Sequence, residues 1–314
     1  PALASAVACT SPEPAQASPQ PAAQTRGHAK KPSGAPTKRE AVGRAPSGTA
    51  GRSALRPEAG QPETKGLEHA SVPKVVQSGQ VWNLARDPEG CRVLQEYLEG
   101  AASDAVRGEL AKELHGRVWQ AMRHRHANHV LQKCVVTMRP HAVQFIVDEL
   151  GSRGPAAIGR AARHAYGCRI LQRLMEHCRS DQLDDLVDGL LAESVALSKH
   201  VFGNFVMQHV LEFGSGDQQR RLCSDLVEHI SELGRDIHSG GVLAKALTFG
   251  GEEDQLAVAH ALVKEQGTLA DMARTRHGSA AVKLVLEALE GPELQEACSQ
   301  LAQEAPALCA RRYG

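Results

Sequence analysis

Gly90-Cys91-Arg92-Val93-Leu94-Gln95, Ala127-Asn128-His129-Val130-Leu131-Gln132, Gly167-Cys168-Arg169-Ile170-Leu171-Gln172 and Gly203-Asn204-Phe205-Val206-Met207-Gln208 are four versions of one hexapeptide. Each runs small residue, Cys or Asn, flat side chain, two apolar residues, Gln. The Cys/Asn positions lie 37, 40 and 36 residues apart, and recurrence at such a period is the signature of a solenoid of stacked helical units.

On an α-helix, residues four apart lie on one face, one above the other. Cys91 and Gln95, Asn128 and Gln132, Cys168 and Gln172, and Asn204 and Gln208 are therefore vertical pairs, with Arg92, His129, Arg169 and Phe205 beside them. The residues between point away and continue as apolar stripes, such as Val93, Leu94 and Leu98, or Val206, Met207, Val210 and Leu211. One face of each helix is core; the other is a row of short polar side chains with planar neighbours. A Gln or Asn amide donates and accepts at once, which suits the edge of a heterocycle. The Arg, His and Phe planes suit its face, by stacking or cation–π contact.

Two further units follow in which this pattern decays. Aligning 202–214 with 238–250 sets Gly240, Gly241 and Ala244 at the Cys/Asn, planar and Gln positions, and a sixth unit sets Ser279, Ala280 and Lys283 there. Both keep the stripe, as Val242, Leu243, Ala246 and Leu247, or Ala281, Val282, Val285 and Leu286. The scaffold is expected to persist where the polar face is lost or altered. Gly240 and Gly241 weaken the start of their helix by about 1 kcal/mol each against Ala. The pattern predicts helices over 77–86, 89–99 and 103–115 in the first unit and 116–123, 126–137 and 139–150 in the second. Breaks carry turn residues, as in Asp87-Pro88-Glu89-Gly90 and Gly214-Ser215-Gly216-Asp217.

Composition is consistent with a helical array. Aromatic content is 3 %, low for one large core. The net charge is zero but unevenly divided: residues 1–74 hold ten Lys/Arg against five Asp/Glu, and the remaining 240 residues hold 26 against 31. A mildly acidic repeat region argues against a purely electrostatic nucleic-acid binder, so its basic groups must be placed rather than abundant. Residues 1–74 are rich in Ala, Pro, Ser and Gly without hydrophobic period and read as a disordered basic arm; the remnant of an organelle transit segment is the lesser reading. No stretch is apolar enough to span a membrane.

The four segments resemble the recognition helices of PUF (Pumilio-type) RNA-binding repeats, three-helix units that each read one base of single-stranded RNA. The similarity runs through the flanking words Gln132-Lys133-Cys134-Val135, Gln172-Arg173-Leu174-Met175-Glu176-His177-Cys178 and Gln208-His209-Val210-Leu211-Glu212, and covers roughly residues 75–314. It implies an all-α, right-handed, crescent-shaped solenoid of armadillo-like repeats: six PUF repeats over 75–304, the last two degenerate, then the start of a truncated capping repeat over 305–314. The order Cys-Arg-Gln, Asn-His-Gln, Cys-Arg-Gln, Asn-aromatic-Gln resembles the third to sixth of eight family repeats. The chain opens at Pro1 and is expected to be a fragment or a processed product, with frayed ends where a terminal repeat lacks its cap.

The resemblance also implies a code in which Cys with Gln selects adenine, Asn with Gln uracil and Ser with Glu guanine, along RNA running antiparallel to the repeats. The base-edge readers would be Cys91, Gln95, Asn128, Gln132, Cys168, Gln172, Asn204 and Gln208, the stacking residues Arg92, His129, Arg169 and Phe205, and the sequence read 5′-UAUA-3′. Family targets begin UGUA, and where Ser, Asn and Glu would read that guanine this chain has Gly240, Gly241 and Ala244; Ser279 with Lys283 matches no standard pair. The implied role is post-transcriptional regulation of messages through 3′ untranslated elements in the cytoplasm, by a monomer recruiting protein co-repressors to its convex face. The alternatives are a PUF-like factor with little sequence preference, as in nucleolar ribosome assembly, and a helical scaffold that binds protein.

Other constellations favour plain readings. Cys91 and Cys168 are readers, Cys134, Cys178 and Cys223 are expected on helices, and no C-x-x-C occurs, which favours a reducing compartment over disulfides or zinc. No cofactor, metal site or enzyme is expected, since no H-E-x-x-H, phosphate-binding Gly loop or G-x-S-x-G occurs among the fifteen histidines and their neighbours. Trp82 and Trp119, each nine residues before a reader, are assigned to packing between units. Arg123, Arg125, Arg163 and Lys199 are either RNA backbone contacts or solvated helix ends.

Overall fold

The apolar stripes become the spine of the structure. The computed structural model describes residues 79–101 and 103–304, and among them every regular element is helical. The basic arm expected over 1–74 and the capping segment expected over 305–314 lie outside the described residues.

The helices fall into six successive triplets. The first is α1 (Val81–Arg86), α2 (Pro88–Gly100) and α3 (Asp104–Lys112). The second is α4 (Val118–Arg123), α5 (Ala127–Thr137) and α6 (Gln144–Gly151), the third α7 (Pro155–Ala162), α8 (Gly167–His177) and α9 (Ser180–Leu191). The fourth is α10 (Ser194–Ser198), α11 (Gly203–Phe213) and α12 (Gly216–Glu228). Then come α13 (Ile230–Leu233), α14 (Gly240–Phe249) and α15 (Glu252–Lys264), and α16 (Thr268–Ala273), α17 (Arg276–Ala288) and α18 (Gly291–Gln303). Helix α1 begins four residues later than the sequence predicts, and the third helix of the second unit opens as a 3-10 turn over Pro140–Val143, with Pro140 at its first position. Cys178 lies just past the end of α8, as its C-cap, rather than within a helix.

Each second helix packs on the second helix of the next unit, from α2 through α5, α8, α11 and α14 to α17. The third helices α6, α9, α12, α15 and α18 form a parallel layer. Between the layers lies a continuous apolar core in which Leu94, Leu98, Leu131, Ile170, Leu171 and Leu174 are fully buried. Such an array is held by contacts between neighbours, so its stability is set unit by unit.

Three local devices recur. The small residue of the hexapeptide lies against the carbonyl six residues earlier: a Cβ at Gly90 would stand 2.6 Å from the Leu84 oxygen, and at Gly203 2.8 Å from that of Leu197. Gly167 and Gly278 face Ala161 and Met272 likewise, while in the fifth unit Ser239 Oγ donates to the Leu233 carbonyl. That contact puts Ser239 in the small-residue place and so sets Gly240, Gly241 and Ala244 at the second, third and sixth places of the hexapeptide.

The second device caps the helix. Three residues before the small residue stands an acceptor for exposed backbone N–H groups. Asp87 accepts from Glu89 and Gly90, and Asp236 from His238 and Ser239. In units two to four the acceptor is a histidine Nδ1: His124 takes Ala127 N at 3.3 Å, His164 takes Gly167 N at 3.3 Å, and His200 takes Gly203 N at 3.2 Å. Thr275 Oγ1 does the same for Gly278. All three histidines are held below their ordinary pKa, by burial first and then by the arginine alongside: Arg86 for His124, Arg123 for His164, Arg163 for His200.

The third device ties units together. In units two, four and five the residue after the Gln position reaches an acid on the preceding second helix: Lys133 to Glu99 at 2.6 Å, His209 to Glu176 at 2.9 Å, Lys245 to Glu212 at 2.6 Å. Trp82 and Trp119 are partly buried against the core, as expected, with arginines over their rings.

Candidate nucleic-acid interface

The caps fix where each second helix starts, and this sets the reader side chains on one layer. Asn128 is fully buried, its Nδ2 donates to the His124 carbonyl at 2.7 Å, and Gln132 Nε2 donates to its Oδ1 at 2.9 Å. On α11 the arrangement repeats: Asn204 Nδ2 donates to the His200 carbonyl at 2.8 Å and Gln208 Nε2 to Asn204 Oδ1 at 3.0 Å. On α2, Cys91 Sγ donates to the His126 carbonyl of the next unit at 3.1 Å, and Gln95 Nε2 stands 3.2 Å from that sulfur. On α8, Cys168 Sγ donates to the Ala165 carbonyl at 3.4 Å, and Gln172 is buried above it.

These pairs are preorganised. Gln132 and Gln208 each give one amide hydrogen to an asparagine and keep Oε1 without a partner among the described residues, so an acceptor and a second donor remain for a ligand. Burial pushes the Cys91 thiol up against the pull of Gln95 and Arg92, and lifts Cys168 to about 11. Both are thus neutral thiols at physiological pH, suited to weak hydrogen bonding and van der Waals contact rather than to nucleophilic chemistry.

The planar neighbours sit alongside. Arg92 and His129 are exposed; Arg169 and Phe205 are half-buried. Partial desolvation of the ring by its packed neighbours, and then the nearby His126, hold His129 below its ordinary pKa, so its ring is neutral at pH 7.

The fifth and sixth units differ in kind. A Cβ at Gly240 would stand 2.9 Å from the Gly278 backbone nitrogen, so α14 and the start of α17 approach too closely for a reader side chain. A Cβ at Gly241 would stand 2.9 Å from Gln208 Nε2, so that amide fills the place of the stacking residue. In the last unit Ser279 Oγ donates to the Arg276 carbonyl at 3.1 Å, while Ala280 and Lys283 are exposed. Two of the cations placed before readers are committed within the fold: Arg163 pairs with Glu193 and Lys199 with Glu232, both at 2.6 Å, whereas Arg123 and Arg125 are exposed. The six described cysteines are free, no group of three His, Cys, Asp or Glu among the described residues could hold a metal, and no described helix is long and apolar enough to cross a membrane.

Sequence reasoning missed the histidine caps and the acid clamps. The clamps join residues 33 or 34 positions apart, visible only once neighbouring units are in register. The caps were marked by the spacing of His124, His164 and His200 before the readers, with Asp87 and Asp236 in the same place.

Comparison with known proteins agrees with this geometry. The Pumilio-family RNA binding repeat matches residues 80–115, 118–150, 162–191 and 194–227, the first four units. The chain is 36 % identical over 84 residues to Pumilio homology domain family member 4 of Saccharomyces cerevisiae, covering 27 % of this chain and 8 % of that protein. It is 32 % identical over 125 residues to putative pumilio homolog 7, chloroplastic, of Arabidopsis thaliana, covering 38 % of this chain and 18 % of the relative. The matched stretch thus spans less than a fifth of either protein. Among solved structures, PUF-8 in complex with PBE-RNA superposes with a TM-score of 0.65 at 24 % identity, over 74 % of this chain and 68 % of that one. The Puf3 RNA binding domain bound to a Cox17 RNA 3′ UTR site does so with 0.62 at 21 % identity, over 74 % and 69 %. The first four units are therefore Pumilio-family RNA binding repeats, and the chain shares its solenoid fold with PUF proteins.

Proposed function

We propose that this protein binds single-stranded RNA sequence-selectively, one base per intact unit, with Cys91/Gln95, Asn128/Gln132, Cys168/Gln172 and Asn204/Gln208 on the base edges and Arg92, His129, Arg169 and Phe205 on the base faces. The observation that carries this reading is the recurring reader side chain anchored to a backbone carbonyl, with Gln four residues on and a planar neighbour beside it. Under the family's code the four units read 5′-UAUA-3′. The close approach of α14 to α17 then makes the base before this element, the guanine of UGUA-type targets, one that the protein does not select. Such a protein would mark messages through 3′ untranslated elements in the cytoplasm and leave the third-helix layer for recruited regulators. Residues 75–304 would correspond to the third to eighth repeats of an eight-repeat array.

Stacking contributes about 1–3 kcal/mol per base, so four units offer roughly 4–12 kcal/mol before the cost of ordering the strand, against about 8 for micromolar affinity. Fluorescence anisotropy of the chain with labelled UGUAUAUA and variants altered at each base tests the reading. A loss of about 1 kcal/mol or more at the third to sixth bases, with indifference at the second, is the expected result. Equal affinity for every variant would make it a binder of RNA without sequence preference, and no binding would leave a protein scaffold.

A further inference from the structure

The first-helix layer divides at its third unit. From there onward most of its basic side chains meet acids, Arg163 with Glu193 and Lys199 with Glu232 at 2.6 Å each, and Arg274 with Asp271 at 2.6 Å, whereas Arg160 on α7 does not. Before that point three arginines meet tryptophan. Arg86 and Arg117 lie over the Trp82 ring at 5.6 and 5.3 Å, and Arg153 over Trp119 at 5.1 Å.

Between the second and third units this arrangement opens a pocket of about 100 Å³ lined by Trp119, Met122, Arg123, Arg153, Arg160 and His164. None of the three guanidinium groups has an ion-pair or hydrogen-bond partner among the described residues. In a repeat region with more acids than bases, three cations converging without one acid among them is a built feature. His164 accepts backbone N–H groups with Nδ1, so its own hydrogen sits on Nε2, the opposite edge of the ring. Trp119 Nε1 is committed to the Glu149 carbonyl at 2.7 Å, which leaves its ring face as an apolar wall.

We propose that this pocket binds a phosphate group, that of the RNA backbone between the bases read by the second and third units. Guanidinium groups present forked donors that match phosphate oxygens, and the site's size and charge suit one phosphodiester. Its place favours RNA over a phosphorylated protein. The carbonyl of His164 accepts from Cys168 N at 3.0 Å, and Arg123 adjoins His124, whose carbonyl anchors Asn128. The pocket therefore abuts the starts of both reader helices. This assignment rests on the RNA-binding reading; the pocket itself can be tested without it.

Trp119 and Trp82 are the two tryptophans of the chain, so Trp82→Phe leaves Trp119 as the sole reporter. Titration of that variant with inorganic phosphate at constant ionic strength should change Trp119 emission saturably, and Arg123→Gln with Arg160→Gln should abolish the change. In anisotropy, the same double substitution in the full chain should weaken all oligonucleotides alike, roughly three- to tenfold. It should also flatten the plot of log affinity against log salt by about 0.7 for each phosphate no longer neutralised, with base preferences intact. A phosphate response with an unchanged salt slope would overturn the RNA assignment and point to a phosphorylated protein. No phosphate response and an unchanged slope would overturn the site. A chain that bound no RNA at all would remove the RNA source together with the base-reading proposal, while the phosphate titration would still judge the pocket.

Discussion

Units one to four and units five and six are built on the same scaffold and carry different surfaces. Both groups keep the small residue against the preceding carbonyl, the cap three residues before it and the buried stripe. The acid clamp even crosses the boundary, as Lys245 to Glu212. What changes is the distance between second helices at the reader position, where Gly240 meets the Gly278 backbone. Stacking of units and presentation of side chains are thus separable, and the last two units are specialised for the first.

The sharpest way to break this contrast is to rewrite a reader. Asn128→Ser with Gln132→Glu should move preference at that single base from uracil to guanine by about tenfold or more, read by anisotropy with paired oligonucleotides. Unchanged preference there would remove Asn128 and Gln132 from the readers. The converse substitution should fail: Gly240→Ser, meant to restore guanine reading, drives a side chain into the Gly278 backbone and should cost about 1–3 kcal/mol in chemical denaturation without gaining selectivity. A variant that read guanine at full stability would refute the close-approach argument.

A smaller effect separates the histidine-capped units from those capped by Asp87 and Asp236. The folded state holds His124, His164 and His200 neutral, so the unfolded chain takes up protons first as pH falls through the ordinary histidine value of 6.5. Their contribution is fully present above that value and declines as pH drops from it towards the lowered folded pKa. The melting temperature should therefore fall between pH 7.5 and 5.5, and His200→Asn, which keeps an accepting cap, should reduce the fall. Least of all, Lys245→Ala should cost no more than about 1 kcal/mol, since the pair it breaks is only partly buried, and should leave RNA affinity unchanged.

Much of this organisation was legible in the chain because it is written at short range. The Cys91–Gln95 and Asn128–Gln132 pairings follow from helical spacing alone, as do the stripes beneath them. The loss of reading at Gly240 was legible as a gap in a pattern, but its cause was not, since it depends on the backbone of a residue 38 positions away. The same holds for the pocket at Trp119. Its arginines come from two units, and Arg123 and Arg163 look equivalent in sequence although only Arg163 faces an acid, Glu193.

The anchoring of the readers to backbone carbonyls has a consequence for the alphabet itself. Asn128, Asn204, Cys168 and Ser279 each hand a hydrogen to a main-chain oxygen in the preceding turn, and Cys91 to one in the next unit. Where the slot carries a side chain, a short one with a proton to give completes this bond, which favours Cys, Asn, Ser and their near kin. Aspartate, close to Asn in shape, would set a negative charge against the same oxygen. The fold therefore acts as a spelling rule, deciding which letters are permitted before any base arrives to be read.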